Sequence, residues 1–209
     1  MSAKTLRIGF VGRMAVVILS AWLCAGCAGV SQYSAIAPES DGATWIAGVP
    51  FFPDDGDECG PATMAGLLSF WGAPVSQVDL ATEVYDRSLR GTLPIDLWRA
   101  AADRGFVAQL VRGTMSDLQA EISAGRPVIV QLNLGTGWLP IGHYVLVTGF
   151  DENSARIIAH SGTRPNRVFP YAAFLRNWAG AGNWMLTVRP GQSSMETAVF
   201  AGLNRRTGL

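Results

Sequence analysis

Residues 57–63, Asp57-Glu58-Cys59-Gly60-Pro61-Ala62-Thr63, place a cysteine where a Gly-Pro turn passes into an apolar helix. The helix is predicted by the spacing of the apolar residues that follow and by the terminating sequence 72–74, Gly-Ala-Pro. A thiol at a helix N-terminus meets the positive end of the helix dipole, which favours the thiolate. The first hypothesis is therefore that Cys59 is a nucleophile.

A nucleophilic thiol needs a base, and the chain has 2 histidines, His143 and His160. His143 lies at the start of the apolar run 142–150, Gly-His-Tyr-Val-Leu-Val-Thr-Gly-Phe, which is typical of a buried strand. His143 is therefore the first choice for the base. The alternatives are that Cys59 is an inert buried cysteine and that His143 is a hydrogen-bonded core residue.

Composition excludes several classes of function. The 209 residues contain 16 basic and 16 acidic side chains, so the formal net charge is +0, and no basic cluster of the kind that binds nucleic acid is present. The sequence has no phosphate-binding loop, no dinucleotide fingerprint and no metal-ligand spacing, so we expect no cofactor, no metal and no nucleic-acid partner. An apolar fraction of 49% and 7 Trp are enough for the core of one domain.

The N-terminal residues 1–26 resemble a lipoprotein signal peptide. Three basic residues precede a short apolar run, and Leu23-Cys24-Ala25-Gly26-Cys27 resembles a lipobox, although Cys24 stands where leucine is usual. We expect lipidation of Cys27, a membrane contact through that lipid, and a location in the bacterial envelope, at the outer membrane facing the periplasm. Simple signal-peptidase cleavage and an uncleaved anchor are the alternatives. Cys59 would then be the one free thiol of the mature chain.

The remaining sequence predicts a tether at 27–44, a folded domain at 45–189 and a C-terminal tail at 190–209. Helices come first and antiparallel strands follow, with connections too short for parallel crossovers, so the fold class is α+β. The predicted helices lie near 59–71, 76–86, 95–104, 117–123 and 171–178, and the predicted strands near 106–111, 127–132, 143–150, 156–160 and 184–188. The Gly-rich loop 134–140 could cover a cleft through Trp138 or simply pack.

Four segments in order carry a resemblance to a known family. Val49-Pro50-Phe51-Phe52, Cys59-Gly60-Pro61-Ala62-Thr63, Arg126-Pro127-Val128-Ile129-Val130 and the Gly-His-Tyr-Val strand at 142–145 are similar to the bacteriocin-processing, double-glycine type of papain-like cysteine peptidases. The resemblance extends over residues 48–188. It implies a papain-like cysteine proteinase fold, with N-terminal helices packed on a C-terminal antiparallel sheet, and a stand-alone, lipoprotein-like member.

The same resemblance implies the roles of individual residues. Cys59 is the expected nucleophile and His143 the expected general base and acid, while the backbone of Cys59 contributes to the oxyanion hole. The family's oxyanion glutamine falls at Pro53 or Asp54, and an anionic Asp54 is a poor replacement. The residue that orients the histidine falls near His160, Ser161 and Asn166 are equally admissible partners, and a purely structural role for His160 is a further alternative.

The sequence therefore predicts a cysteine peptidase or amidase with a Cys-His dyad and an acyl-enzyme intermediate. The resemblance also implies cleavage after small residues such as glycine, and a peptide or protein substrate. The departures from the family pattern leave two alternatives open: a catalytically inactive papain-like module that binds a peptide or envelope partner, and a transferase that passes the acyl group to an amine. The oligomeric state is not predicted.

Overall fold

The computed structural model describes residues 42–54, 56–136 and 138–191. The signal peptide, the lipidation site at Cys27 and the tail beyond residue 191 lie outside these residues. So does the predicted tether, except at its end, where the first strand already begins at Ala43. The tether and domain boundaries otherwise stay predictions.

Five helices are present among the described residues: α1 (Cys59–Phe70), α2 (Gln77–Val84), α3 (Pro94–Ala102), α4 (Met115–Ser123) and α5 (Tyr171–Gly180). Their starts follow local chemistry. The Ser76 hydroxyl caps α2 by accepting the N–H of Asp79, Pro94 occupies the first turn of α3, and Thr114 forms a capping box with Asp117 at the start of α4.

The strands are β1 (Ala43–Trp45), β2 (Tyr85–Asp86), β3 (Gly91–Thr92), β4 (Phe106–Arg112), β5 (Val128–Asn133), β6 (Gly142–Asp151), β7 (Arg156–Ser161), β8 (Arg164–Pro170) and β9 (Trp184–Pro190). Seven of them form one sheet in the order β4-β9-β5-β6-β7-β8, with β1 paired to β6, and every pairing is antiparallel. Strands β2 and β3 form a separate hairpin.

The hydrophobic core lies between helix α1 and the middle of the large sheet. Residues 60–68 of α1 are all buried, so the helix is enclosed by its neighbours, and it packs against β6 and α2. Strand β6 is buried from Tyr144 to Asp151, as expected for a central strand. Helix α1 and strand β6, which carry Cys59 and His143, are therefore among the most enclosed elements of the fold.

The α+β prediction, with helices packed on an antiparallel sheet, is confirmed. All five predicted helices form within a few residues of their expected bounds, and α1 ends as expected where Gly72 adopts a φ of 81°. Three elements were not predicted: the strand β1 at the end of the expected tether, the edge strand β8 and the hairpin β2–β3. No helix of the described residues is long and apolar enough to cross a membrane.

Candidate active site

Cys59 is the first residue of helix α1, so the helix begins at the cysteine itself. The expected Gly-Pro turn before the helix is therefore its first turn. Gly60 is required there by close approach, because a Cβ at this position would lie 2.7 Å from the Cβ and Oγ1 of Thr92. The hairpin β2–β3 thus packs directly against the start of the helix.

Asp54 holds the loop that precedes Cys59. Its Oδ1 accepts the backbone N–H groups of Gly56 and Glu58, both at 3.1 Å. Its own N–H donates to the carbonyl of Gly162 at 2.9 Å. With 8% of its surface exposed, Asp54 joins the start of α1 to the turn between β7 and β8. Glu58 makes no side-chain cap, so this carboxylate supplies the capping acceptor of the helix.

The sulfur of Cys59 lies against the backbone beside His143. Its hydrogen-bond partner is the N–H of Tyr144, with 3.4 Å between Tyr144 N and Cys59 Sγ. Among the described residues, no hydrogen bond joins this sulfur to the ring of His143. The structure therefore places the Cys59 sulfur against the backbone of the residue that follows His143. In this resting arrangement the thiol and the imidazole are not hydrogen-bonded.

The ring of His143 is held by Ser161. The Nε2 atom of His143 lies 2.9 Å from Ser161 Oγ, on the neighbouring strand β7. The Nδ1 atom has no hydrogen-bond partner among the described residues, so it is available to exchange a proton with a thiol or a substrate. Ser161 is 3% exposed, which shields this hydrogen bond from water.

His160, one of the three candidates to orient His143, forms no hydrogen bond with it among the described residues. Both its ring nitrogens have backbone partners: Nε2 lies 3.0 Å from the Val49 carbonyl, and Nδ1 accepts the N–H of Asn166 at 3.1 Å. A ring that accepts at Nδ1 and donates at Nε2 is a neutral imidazole. His160 therefore ties the segment before the cleft to strand β8, and Ser161, one of the two alternatives, holds the contact with His143.

Asn166, the other alternative, forms no hydrogen bond with His143 among the described residues. Its side-chain Oδ1 is buried without a hydrogen-bond partner among the described residues. Its backbone has a φ of 51°, at a register shift in the pairing of β7 with β8. The backbone of Asn166, through its N–H on His160, is what contributes to the site region.

The electrostatics of the resting site favour two neutral groups. Burial raises the pKa of the Cys59 thiol, and the charge of Asp54 adds to it, although hydrogen bonds from backbone N–H groups, that of Tyr144 first, oppose the change. Burial also lowers the pKa of His143, with Arg167 adding to this and Asp54 opposing it. Helix position alone led us to expect a thiolate, but burial of the sulfur outweighs it.

Two cavities adjoin these residues. A small one of about 10 Å³ is lined by Cys59 together with Phe51, Phe52, Leu146 and His160, among others. Such a volume holds about one water-sized group. A wider groove of about 520 Å³ lies along His143 and Ser161. The site therefore has a narrow apolar recess at the sulfur and a broad polar groove at the histidine.

Two features of the site were not identified from the sequence, the roles of Tyr144 and of Asp54. Tyr144 provides the N–H that holds the sulfur, and its own hydroxyl donates to the Thr92 carbonyl at 2.9 Å. Asp54 was considered only as a replacement for the family's glutamine, not as a helix cap; its spacing of four residues before the N-cap residue Glu58 was the available signal. Trp138 of the Gly-rich loop, for which covering a cleft and packing were both open, is 83% exposed, so its side chain is not packed.

The described residues offer no metal centre. No group of three or more His, Cys, Asp and Glu side chains in residues 42–54, 56–136 and 138–191 is arranged to hold a metal ion.

Comparison with known proteins supplies the family. The model of the Peptidase_C39 like family matches residues 43–185, which includes every residue of the site described above. No curated protein matches the sequence.

Solved structures share the fold. A C39-like peptidase from Bacillus anthracis superposes with a TM-score of 0.55 at 18% identity, over 71% of this chain and 98% of that one. A double glycine motif protease from an AMS/PCAT transporter, solved with its leader peptide, gives a TM-score of 0.55 at 20% identity, over 70% and 94%. The peptidase domain of Streptococcus ComA gives 0.52 at 20% identity, over 64% and 92%. At these identities the likeness concerns the fold.

Proposed function

Because the chain belongs to the Peptidase_C39 like family, we propose that it is a cysteine peptidase in which Cys59 is the nucleophile and His143 the general base and acid. The observation that carries the proposal is the contact of the Cys59 sulfur with the N–H of Tyr144, the residue next to His143. This contact supports a shared role for the helix N-terminus, which carries the thiol, and the central strand, which carries the imidazole.

Acylation begins from the neutral pair. The burial that raises the pKa of Cys59 and lowers that of His143 makes thiol and imidazole the resting forms. When a substrate carbonyl lies against the sulfur, the thiol proton passes to Nδ1 of His143 and the sulfur attacks the carbonyl carbon. The resulting imidazolium then gives this proton to the leaving amine as the C–N bond breaks, which leaves a thioester on Cys59.

Deacylation uses the same two residues. A water molecule gives its proton to Nδ1 of His143 and attacks the thioester carbonyl. The C–S bond then breaks, the sulfur recovers the proton, and the carboxylic acid product leaves. Throughout, Ser161 Oγ at 2.9 Å from Nε2 keeps the ring in the orientation that presents Nδ1.

The oxyanion is expected to be stabilised by backbone. The first N–H groups of a helix have no intrahelical partner, and Cys59 is the first residue of α1. Asp54 as a carboxylate has no proton to donate, and its Oδ1 is already used by two backbone N–H groups. A site with fewer donors than its relatives is consistent with weakened activity.

The proposed substrate is a peptide cleaved after a small residue. The recess of about 10 Å³ lined by Cys59 supports this preference, because a cavity of that size admits only a small group. A neighbouring structure of the same fold was solved with a leader peptide.

The nucleophile is tested by site-localised labelling of the full chain. Wild type and the Cys59→Ala, His143→Gln and His160→Gln variants are treated with iodoacetamide at neutral pH, and the modified residue is located by mass spectrometry. We expect labelling at Cys59 in wild type and slower labelling in His143→Gln than in His160→Gln. Cleavage of a synthetic library of Gly-containing peptides should depend on Cys59 and His143. Cleavage that persists in Cys59→Ala would overturn the proposal.

A catalytically inactive module that binds peptides is the second candidate. It is favoured by the raised pKa of Cys59 and by the absence, among the described residues, of a hydrogen bond between Cys59 and His143. Peptides bound by wild type and by Cys59→Ala with equal affinity, and cleaved by neither, would establish this second function.

We also propose that the protein is attached to the bacterial envelope through a lipid on Cys27. The support is the sequence of residues 1–27, with its basic start, apolar run and terminal cysteine. Metabolic labelling with an alkyne fatty acid should mark the wild-type chain and not the Cys27→Ser variant, and the variant should leave the membrane fraction. Equal labelling of both chains would contradict lipidation.

A further inference from the structure

Two arginines of strand β8 line the groove that leads to His143. The groove of about 520 Å³ is bounded by His143, Ser161 and Thr163 together with Arg164 and Arg167, and we call it the arginine groove. The guanidinium of Arg167 lies 5.0 Å from the centre of the Phe169 ring, a stacking contact that restricts its orientation. A cleft beside the proposed base therefore presents two cationic groups.

These two cations have no anionic partner within the described residues. The ion pairs there involve Arg90, Arg104, Arg126 and Arg189, whereas neither Arg164 nor Arg167 forms one. Exposed arginines away from clefts are commonly unpaired, but here both lie in one groove with a candidate catalytic residue. Arginine presents a planar set of donors that matches a carboxylate in two parallel hydrogen bonds.

Two described acidic residues of the loop before α1, Asp54 and Asp57, already have other partners. Asp57 pairs with Arg90 at 2.9 Å, and Asp54 Oδ1 accepts two backbone N–H groups. Among the described residues that line it, the arginine groove holds two guanidinium groups against one carboxylate, that of Asp54. This balance attracts an anionic group and disfavours a second cation.

We propose that the arginine groove binds a carboxylate of the peptide substrate, next to the bond that is cleaved. The carboxylate belongs either to an aspartate or glutamate side chain or to the C-terminus of a short peptide. This inference rests on the proposed function, because it assigns a substrate class to the same site. The proposed function calls for a peptide with a small residue next to the Cys59 sulfur. The inference adds that this peptide also carries a negative charge on the side of His143.

The arrangement gives the charge a second effect. Burial is the main cause of the lowered pKa of His143, and the positive charge of Arg167 adds to it. A substrate carboxylate on Arg167 offsets that positive charge, which favours the imidazolium formed during acylation. Charged peptides should therefore gain in kcat as well as in binding, whereas a groove acting through affinity alone would change only KM.

Binding is measured with the full-length Cys59→Ala variant, so that the result does not depend on turnover. The probes are Gly/Ala octapeptides that carry a single Glu at each position in turn, their Gln counterparts, and the Gln peptides with an amidated C-terminus. Calorimetry should give a Kd at least about tenfold lower for the best Glu peptide than for its Gln counterpart. If the Gln peptides with a free C-terminus bind with a lower Kd than the amidated Gln peptides, the C-terminal carboxylate is the group that the groove binds.

Arginine substitutions in the Cys59→Ala background test the location. Arg164→Gln and Arg167→Gln should each reduce the preference for the charged peptide, and the double variant should remove it. Arg112→Gln is the matched control, because Arg112 is an exposed arginine on β4, at the opposite edge of the sheet. Equal Kd values for charged and neutral peptides, no binding of any peptide, or a preference retained in the double variant would overturn the subsite.

The proposed function has its own readout. Peptide cleavage and Cys59 labelling by wild type test the peptidase, and the control variant Arg112→Gln should leave both within about twofold of wild type. A charge preference in Cys59→Ala without cleavage by wild type supports the subsite in an inactive module. Cleavage without charge preference keeps the peptidase and removes the subsite.

Discussion

The Nε2 atom of His143 lies 2.9 Å from Ser161 Oγ, on the neighbouring strand of the central sheet. A serine hydroxyl can orient an imidazole but adds no negative charge, so it stabilises the imidazolium less than a carboxylate would. Burial acts against the imidazolium as well, because it lowers the pKa of His143. The candidate site therefore orients His143 well but stabilises its imidazolium form only weakly.

Substitution of Ser161 should slow the reaction moderately. Ser161→Ala removes one hydrogen bond to His143, worth about 1 kcal/mol, and so should lower kcat/KM about fivefold. Ser161→Thr keeps a hydroxyl and should retain more activity than Ser161→Ala. The measurement is the rate of cleavage of a peptide selected from the library. An unchanged rate in Ser161→Ala would show that this contact does not orient the base.

Substitution of His160 should affect stability more than chemistry. His160→Ala leaves the Val49 carbonyl and the Asn166 N–H without their buried partner, which should cost about 1–3 kcal/mol of the free energy of unfolding. Urea unfolding measures this loss. The labelling rate of Cys59 in the folded variant should fall less than in Ser161→Ala. A stable variant with a greatly reduced labelling rate would instead assign His160 to the chemistry.

The contrast between His160 and Ser161 shows where sequence reasoning stops. Neighbouring residues of a strand point to opposite faces, so only one of the two can face His143. Which one does so depends on register, and the pairing of β7 shifts relative to β6 between Val147 and Gly149 and relative to β8 between Ala159 and Ser161. Such irregularities have no signature in one sequence.

Helix α1 and strand β6 were predictable for the opposite reason. An apolar helix with a glycine stop and a long buried strand are both set by local pattern, so the positions of Cys59 and His143 on the fold followed from sequence. Strand β8 was missed because Arg164-Pro165-Asn166-Arg167 lacks apolar alternation, and it forms through pairing with β7 at the edge of the sheet. The arginine groove could not be foreseen without it.

Removing the charge of Asp54 should make the thiol more acidic. In Asp54→Asn, the amide oxygen can still accept the N–H groups of Gly56 and Glu58. The negative charge that helps to raise the pKa of Cys59 is lost. The midpoint of the iodoacetamide labelling rate against pH should therefore move to lower pH, and the new amide N–H₂ becomes a donor at the cleft.

The control for this change is Asp57→Asn. Asp57 is a half-buried carboxylate on the same loop as Asp54, and it pairs with Arg90. Asp57→Asn should leave the labelling midpoint where it is in wild type. A midpoint that moves upward in Asp54→Asn, or by the same amount in both variants, would show that Asp54 does not act on Cys59 through its charge.

Stability should decrease as the pH falls from about 7 to 5. Burial lowers the pKa of His143 and of His160, so below about pH 6.5 the unfolded chain binds more protons than the folded chain. The free energy of unfolding therefore rises with pH in this window. The carboxylates of Glu83, Asp86 and Asp117, whose pKa values are lowered by hydrogen bonds, contribute at more acidic pH. Urea unfolding of wild type and His143→Gln measures the contribution of His143. The free energy of unfolding should fall less in the variant than in wild type between pH 7 and 5.

The close contact between Gly60 and Thr92 gives a structural test of the cysteine motif. In Gly60→Ala the new Cβ would lie 2.7 Å from Thr92, so the hairpin β2–β3 must move away from the start of α1. Such overpacking should cost about 1–3 kcal/mol in the free energy of unfolding. The movement should also change the position of Tyr144, because the hydroxyl of Tyr144 donates to the Thr92 carbonyl at 2.9 Å. The N–H of the same residue holds the Cys59 sulfur.

A double-mutant cycle identifies the contact. Thr92→Gly removes the side chain that the new Cβ would meet, so Gly60→Ala should cost less in that background than in wild type, with a coupling of about 1 kcal/mol. Labelling of Cys59 should change in Gly60→Ala and recover in part in the double variant, because the hairpin is then free to return to Tyr144. Additive losses of stability would mean that Gly60 is required by the helix itself and that the hairpin does not fix the position of the nucleophile.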